Sequence, residues 1–175
     1  MINSIIHCYE NEKIASIYCD LDDSEKHYTG YIKKVDETSF LIAHITPHGF
    51  YDGYILRGTE EVYRIDYESE YEKKIEKLYK FRNQSHNLSI PNEVSLFYSV
   101  LKSAKQNSLI VSFIFENSHI SGFVKNYDEN LIYINCVNDN GFEDGFSVIN
   151  IDDVLILEVD TEYEQDLNLL HTNQG

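Results

Sequence analysis

Gly49-Phe50-Tyr51-Asp52-Gly53 occurs a second time, 92 residues further on, as Gly141-Phe142-Glu143-Asp144-Gly145. The likeness extends well beyond these five residues. At the same offset Gly30 meets Gly122, Lys33 meets Lys125, Asp36 meets Asp128 and Glu37 meets Glu129. Ile42 and Ile134, Val62 and Val154, and Leu78 and Leu170 follow, as does the run Glu70-Tyr71-Glu72 against Glu162-Tyr163-Glu164. A gap-free frame held over roughly fifty residues marks an internal repeat, so the chain reads as two copies of one small fold.

Working outward from the repeat, the first copy shows short apolar or alternating runs at 14–21, 27–35, 40–45, 51–57 and 61–66. Asp36-Glu37-Thr38 and Pro47-His48-Gly49 separate them as turns. The second copy repeats the series at 109–116, 119–127, 131–137, 144–150 and 153–159. Five short strands joined by tight turns describe a small closed or nearly closed barrel. A helix follows each series. Ser69 stands three residues before Glu72 and Thr161 three before Glu164, which is capping-box spacing. Tyr71, Ile75 and Leu78, like Tyr163, Leu167 and Leu170, place one apolar stripe on each helix. A short helical turn is expected near 2–10 and a further helix at about 92–105, with Val94, Phe97, Tyr98 and Leu101 on one face. Phe81 to Ile90 reads as polar and irregular. The expected architecture is mainly β with short helices: two tandem five-stranded, SH3-like small barrels, each followed by a helix. Residues 1–82 form the first and residues 83–175 the second, which also has a leading helix.

Charge narrows the function. The net charge is −16, and it is unevenly spread. Beyond Arg82 the only basic residues are Lys102, Lys105 and Lys125, against 14 carboxylates, so the second half carries −11 and the first −5. Such a field repels phosphate backbones, so DNA and RNA are not the expected partners. A basic protein is the more natural one, and the plainer reading, which ranks first, is a solvated surface that keeps the protein soluble. Cys8, Cys19 and Cys136 form no Cys-x-x-Cys and are expected to be reduced thiols. No basic leader opens the sequence and no apolar run reaches membrane-spanning length, which predicts a cytoplasmic protein away from membranes.

Four residues stand out as candidate binding groups. Asp52 and Asp144 read either as paired carboxylates for a basic ligand or a metal, or as turn builders accepting bonds from nearby amides. Arg57 and Arg64, on adjacent predicted strands, mark either a small anion site or surface ion pairs. His44 and His48 are four apart but separated by a turn, and His7, His27 and Cys8 add no metal spacing. Asp20-Leu21-Asp22-Asp23 lacks the glycine and distal glutamate of a calcium loop. The sequence contains no nucleophile elbow, phosphate loop or dinucleotide fingerprint. No catalytic residue, metal or cofactor is therefore expected.

A helix leading into five strands, with Gly30-x5-Asp36 and Gly122-x5-Asp128 spanning the second strand and its turn, resembles the Sm-like (Lsm-type) fold of RNA-processing proteins. Leu56-Arg57-Gly58 is similar to that family's second motif, an Arg-Gly leading into the last strand. The chain also resembles small bacterial proteins of no assigned activity. The family's uridine pocket uses an asparagine four residues after the motif aspartate, but those positions hold Phe40 and Ile132. Ile149-Asn150 stands where the second copy would need its Arg-Gly. The resemblance thus implies the fold without the pocket. The expected function is a non-enzymatic protein-interaction module. The alternatives are an RNA-binding Sm-like protein using Arg57, and an acidic inhibitor or immunity protein against a basic toxin or nuclease.

Overall fold

The computed structural model describes residues Met1–Gln174 of the 175. It divides into two compact units, Met1–Asn87 and Leu88–Gly175. Residues 83–87, expected with the second copy, therefore belong to the first. The reason is local: Tyr51 N donates to Gln84 Oε1 (3.0 Å), and the His86 ring bonds to the His44 carbonyl (2.8 Å).

The first unit opens with α1 (Ile2–Glu10), a full helix where the sequence promised only a turn. Ile5 and Cys8, three apart, form its buried stripe. The strands β1 (Ile14–Tyr18), β2 (Tyr28–Val35), β3 (Ser39–Ile45), β4 (Tyr51–Gly58) and β5 (Arg64–Tyr67) follow, and α2 (Glu70–Phe81) closes the series. The second unit repeats it as α3 (Leu96–Gln106), β6 (Ile110–Ile114), β7 (His119–Tyr127), β8 (Leu131–Val137), β9 (Glu143–Asn150), β10 (Ile156–Val159) and α4 (Glu162–Thr172). All ladders are antiparallel, and the strand orders are β5-β1-β2-β3-β4 and β10-β6-β7-β8-β9.

Both units are β-rich, as expected, but hydrogen bonds do not close either sheet into a barrel. Among the described residues no ladder joins β5 to β4 or β10 to β9. Turns of 3₁₀ helix, Thr59–Glu61 and Ile151–Asp153, use up the residues expected to start each fifth strand. Only four residues remain in β5 and in β10, and their ladders run along β1 and β6.

The repeat extends to irregularities. Register shifts fall at Ile32/Lys34 and Val124/Asn126, and again at Ala43/Ile45 and Asn135/Val137, each pair 92 residues apart. A Cβ on Gly30 would strike the Ala43 carbonyl oxygen, and one on Gly122 the Asn135 carbonyl oxygen, which explains these two glycines. Ahead of β2 the correspondence continues at an offset of 96: Ile5 with Leu101, Cys8 with Ala104, Ile14 with Ile110, and Ser16 with Ser112 are all buried. The link between the first two strands is four residues longer in the first unit, and this insertion hides the leading helix from a constant-offset comparison. Among the described residues no helix is long and apolar enough to cross a membrane. All three cysteines are free, and burial raises the thiols of Cys8 and Cys19, the latter to about 11. A thiol so raised is a poor nucleophile.

Candidate interaction surface

The capping boxes serve more than the helix ends. Glu72 is buried and accepts from Ser69 N (3.1 Å), from the Ser69 hydroxyl, and from Ser16 Oγ (2.7 Å) on β1. Ser16 also meets Thr29 (2.9 Å) on β2. In the second unit Glu164 accepts from Thr161 N (2.9 Å), Thr161 Oγ1 (2.5 Å) and Ser112 Oγ (2.5 Å), while Ser112 meets Ser121 (2.9 Å). A buried carboxylate survives only when its lone pairs are taken, and here they are. These two networks fasten the closing helix to the sheet. They are structural.

A second repeated feature lies at the surface. His27 Nε2 and the Tyr71 hydroxyl are 3.5 Å apart with edge-on rings, and His119 and Tyr163 repeat the arrangement at 3.4 Å. Tyr18 packs on His27 in the first unit, whereas Ile114 takes its place in the second. There a cleft of about 630 Å³ lies between Ser112, Phe115, Asn117, His119, Asp139 and Tyr163. Tyr163 donates to Asp139 Oδ1 (2.8 Å), and burial together with Asp139 raises its pKa, so the phenol stays protonated at neutral pH. The nearby Cys136 thiol donates to Ser147 Oγ (3.2 Å). Among the described residues no hydrogen bond joins this thiol to His119, and no three His, Cys, Asp or Glu side chains gather as a metal-binding group.

The four residues singled out in the sequence are not brought together. Arg57 on β4 bonds Glu61 (2.8 Å) and the Tyr28 hydroxyl (3.3 Å) and lies over the Tyr28 ring. Arg64 on β5 bonds both carboxylate oxygens of Asp66 (3.0 and 2.5 Å) and lies over Tyr18. Their strands, expected to be neighbours, are not paired, and each guanidinium has its own carboxylate. Asp52 is half-buried against His44 Nδ1 (2.9 Å). Among the described residues Asp144 has no such histidine partner, because Cys136 stands where the first unit has His44, and it lies exposed on β9.

That contrast holds along the two strands up to Arg57 and Ile149, where the second unit has the buried residue. On β4, Tyr54 is 1% exposed and Leu56 4%; at the equivalent positions of β9, Phe146 is 74% exposed and Val148 56%. The cover on Tyr54 is the chain beyond α2. The His86 ring lies 4.4 Å from that of Tyr51, 5.2 Å from Tyr54 and 5.6 Å from Tyr79. Its Nε2 donates to the His44 carbonyl, so Nδ1 is the acceptor for the Tyr79 hydroxyl (2.7 Å). Burial lowers the His86 pKa to about 4 and raises that of Tyr79 to about 12, so both are neutral in the folded unit. The sequence reading missed His86 altogether, since it lies in the run set aside as irregular. Among the described residues nothing plays this part on β9. Lys125 alone lies over the Phe146 ring, with Nζ 4.7 Å from its centroid. In the strand order β9 is terminal, with β8 as its one ladder partner among the described residues. Its outer edge is thus a row of backbone donors and acceptors beside exposed apolar side chains.

No family model, curated protein or solved structure matches the chain.

Proposed function

We propose that this chain is a cytoplasmic, non-enzymatic protein-interaction module built from two Sm-like small barrels, and that it meets its partner through β9 of the second unit. One observation carries the reading: Phe146 and Val148 lie bare on a terminal strand at positions whose counterparts in the first unit are buried. Exposed apolar side chains beside an unpaired strand edge are the ingredients of strand-addition recognition. The repeated helix and five antiparallel strands, with the Gly-x5-Asp spacing across β2 and β7, support the Sm-like part. Phe40 and Ile132, at the positions of the uridine-reading asparagine, have no exposed surface, and Arg57 is engaged by Glu61 and Tyr28. Both facts favour protein over RNA as the partner. The −11 charge of the second half favours a cationic protein, and a basic toxin or nuclease captured on β9 would make the module its inhibitor.

A photo-crosslinking residue at Val148, with a control at the still more exposed Phe81 of the first unit, tests the proposal in cells making the protein. Protein adducts specific to position 148 are expected. RNA adducts there, or equal labelling at both positions, would overturn it.

A further inference from the structure

The bare face of the second unit has a covered counterpart in the same chain, and the cover describes what fits. In the first unit Gln84 takes the Tyr51 amide, and the His86 ring stands among Tyr51, Tyr54 and Tyr79 while donating to the His44 carbonyl. Each receiving group has an equivalent 92 residues on. The amide becomes that of Glu143, the carbonyl that of Cys136 at the β8 register shift, and the Tyr54 ring becomes Phe146.

Two replacements change the chemistry. Tyr51 gives way to Glu143, and Tyr79 to His171, whose Nδ1 is engaged with the Gly141 carbonyl (2.9 Å). A box of three phenols suits a neutral imidazole. A carboxylate beside an open phenyl ring suits a cation, through charge pairing and the ring's negative face. Lys125 Nζ already lies 4.7 Å from the Phe146 ring centroid, and most of the ring remains accessible beside it. Among cations, guanidinium fits best: its planar fork has donors enough for both the Glu143 carboxylate and the Cys136 carbonyl while its face lies on the ring.

We infer that the second unit binds an extended, basic segment of a partner protein along β9, with an arginine in the place that His86 holds in the first unit. The inference rests on the interaction role proposed above and adds the chemistry of the occupant. Cover of the exposed Phe146 and Val148 side chains supplies sequence-independent affinity, as the chain beyond α2 covers Tyr54 in the first unit, and the arginine supplies selection. Exposed Glu143 and Asp144, within a unit of strong negative charge, speed the approach of such a segment and reject acidic ones.

The test uses the full chain and labelled synthetic peptides copying residues 82–90, carrying arginine, histidine or glutamate at the position of His86. Binding is read by fluorescence anisotropy at about 150 mM salt, where only close contacts escape screening. The arginine peptide is expected to bind at least about tenfold tighter than the glutamate peptide, with histidine between them. Phe146→Ala and Glu143→Lys should each remove most of that preference, whereas Phe81→Ala should leave it intact. Phe146 and Glu143 are both exposed, so melting temperatures of these variants should match that of the parent. Equal affinities for the arginine and glutamate peptides, or an arginine preference that survives Glu143→Lys, would overturn the inference. If position 148 still crosslinks to protein while no arginine preference is found, the interaction role stands and only the anchor is lost.

Discussion

The strands β4 and β9 begin with the same Gly-Phe-x-Asp-Gly signature, share a register shift against the preceding strand, and place a glycine at positive φ (Gly53 +63°, Gly145 +76°). One is nevertheless packed under aromatic rings and the other is bare. Equivalent backbones therefore do not make equivalent surfaces. On β4, Tyr54 meets a histidine from beyond the closing helix. On β9 the Glu143 carboxylate and the Phe146 ring are exposed, with Lys125 over the ring. A duplicated fold can in this way cover a strand face in one copy and leave its counterpart bare in the other.

The largest effects should fall where the two units are most alike. Gly30→Ala and Gly122→Ala both drive a methyl group into a facing carbonyl oxygen that belongs to the sheet backbone. Each should destabilise its own unit by about 3 kcal/mol or more. Urea titration combined with hydrogen exchange resolved by unit would measure this. A marked asymmetry between the two substitutions would break the equivalence of the sheets.

Somewhat smaller losses are expected from the buried carboxylates. Glu72→Ala leaves the Ser16 and Ser69 hydroxyls without their acceptor, and Glu164→Ala does the same to Ser112 and Thr161. The cost should be about 2–4 kcal/mol in either unit, with helix fraying visible as faster exchange across α2 or α4. If either variant proved neutral, the lock between helix and sheet would not exist in that unit.

The covered and bare faces should then part company. His86→Ala should cost the first unit about 2–3 kcal/mol, through two hydrogen bonds and three ring contacts, whereas Phe146→Ala should change the second by less than about 0.5 kcal/mol. Acid sharpens the contrast. Folded His86 takes up a proton only near pH 4, while an unfolded histidine does so near 6.5. Between those values the unfolded chain binds more protons, so the stabilisation present above about 6.5 is lost as pH falls towards 4. The first unit of the parent should weaken across that window more steeply than that of His86→Gln, as followed by exchange rates. Parallel profiles would show that His86 is not held neutral.

The smallest expected effect is on nucleic acid. Short uridine- or adenine-rich RNA should show no tight binding at about 150 mM salt, because the base-reading positions are Phe40 and Ile132, both in the core. Submicromolar binding that disappears in Arg57→Ala would move the working surface from β9 to the first unit.

Much of this molecule is determined by its sequence alone. Constant spacing marks the two copies from β2 to the closing helix, because register, turn chemistry and capping boxes are local properties that recur with the residues that cause them. The same comparison passes over α1, because four extra residues between β1 and β2 break the frame while leaving the buried stripe intact. Fold closure, the separation of Arg57 from Arg64, and the fates of β4 and β9 were decided only by tertiary structure. Whether a sheet closes depends on where the chain spends its residues, and among the described residues the four-residue strands that follow the 3₁₀ turns form no ladder between β5 and β4 or between β10 and β9. Whether an apolar strand is buried depends on what reaches it from elsewhere. His86, 32 residues from Tyr54 in a run with no periodicity, can be recognised as its cover only once the two stand 5.2 Å apart.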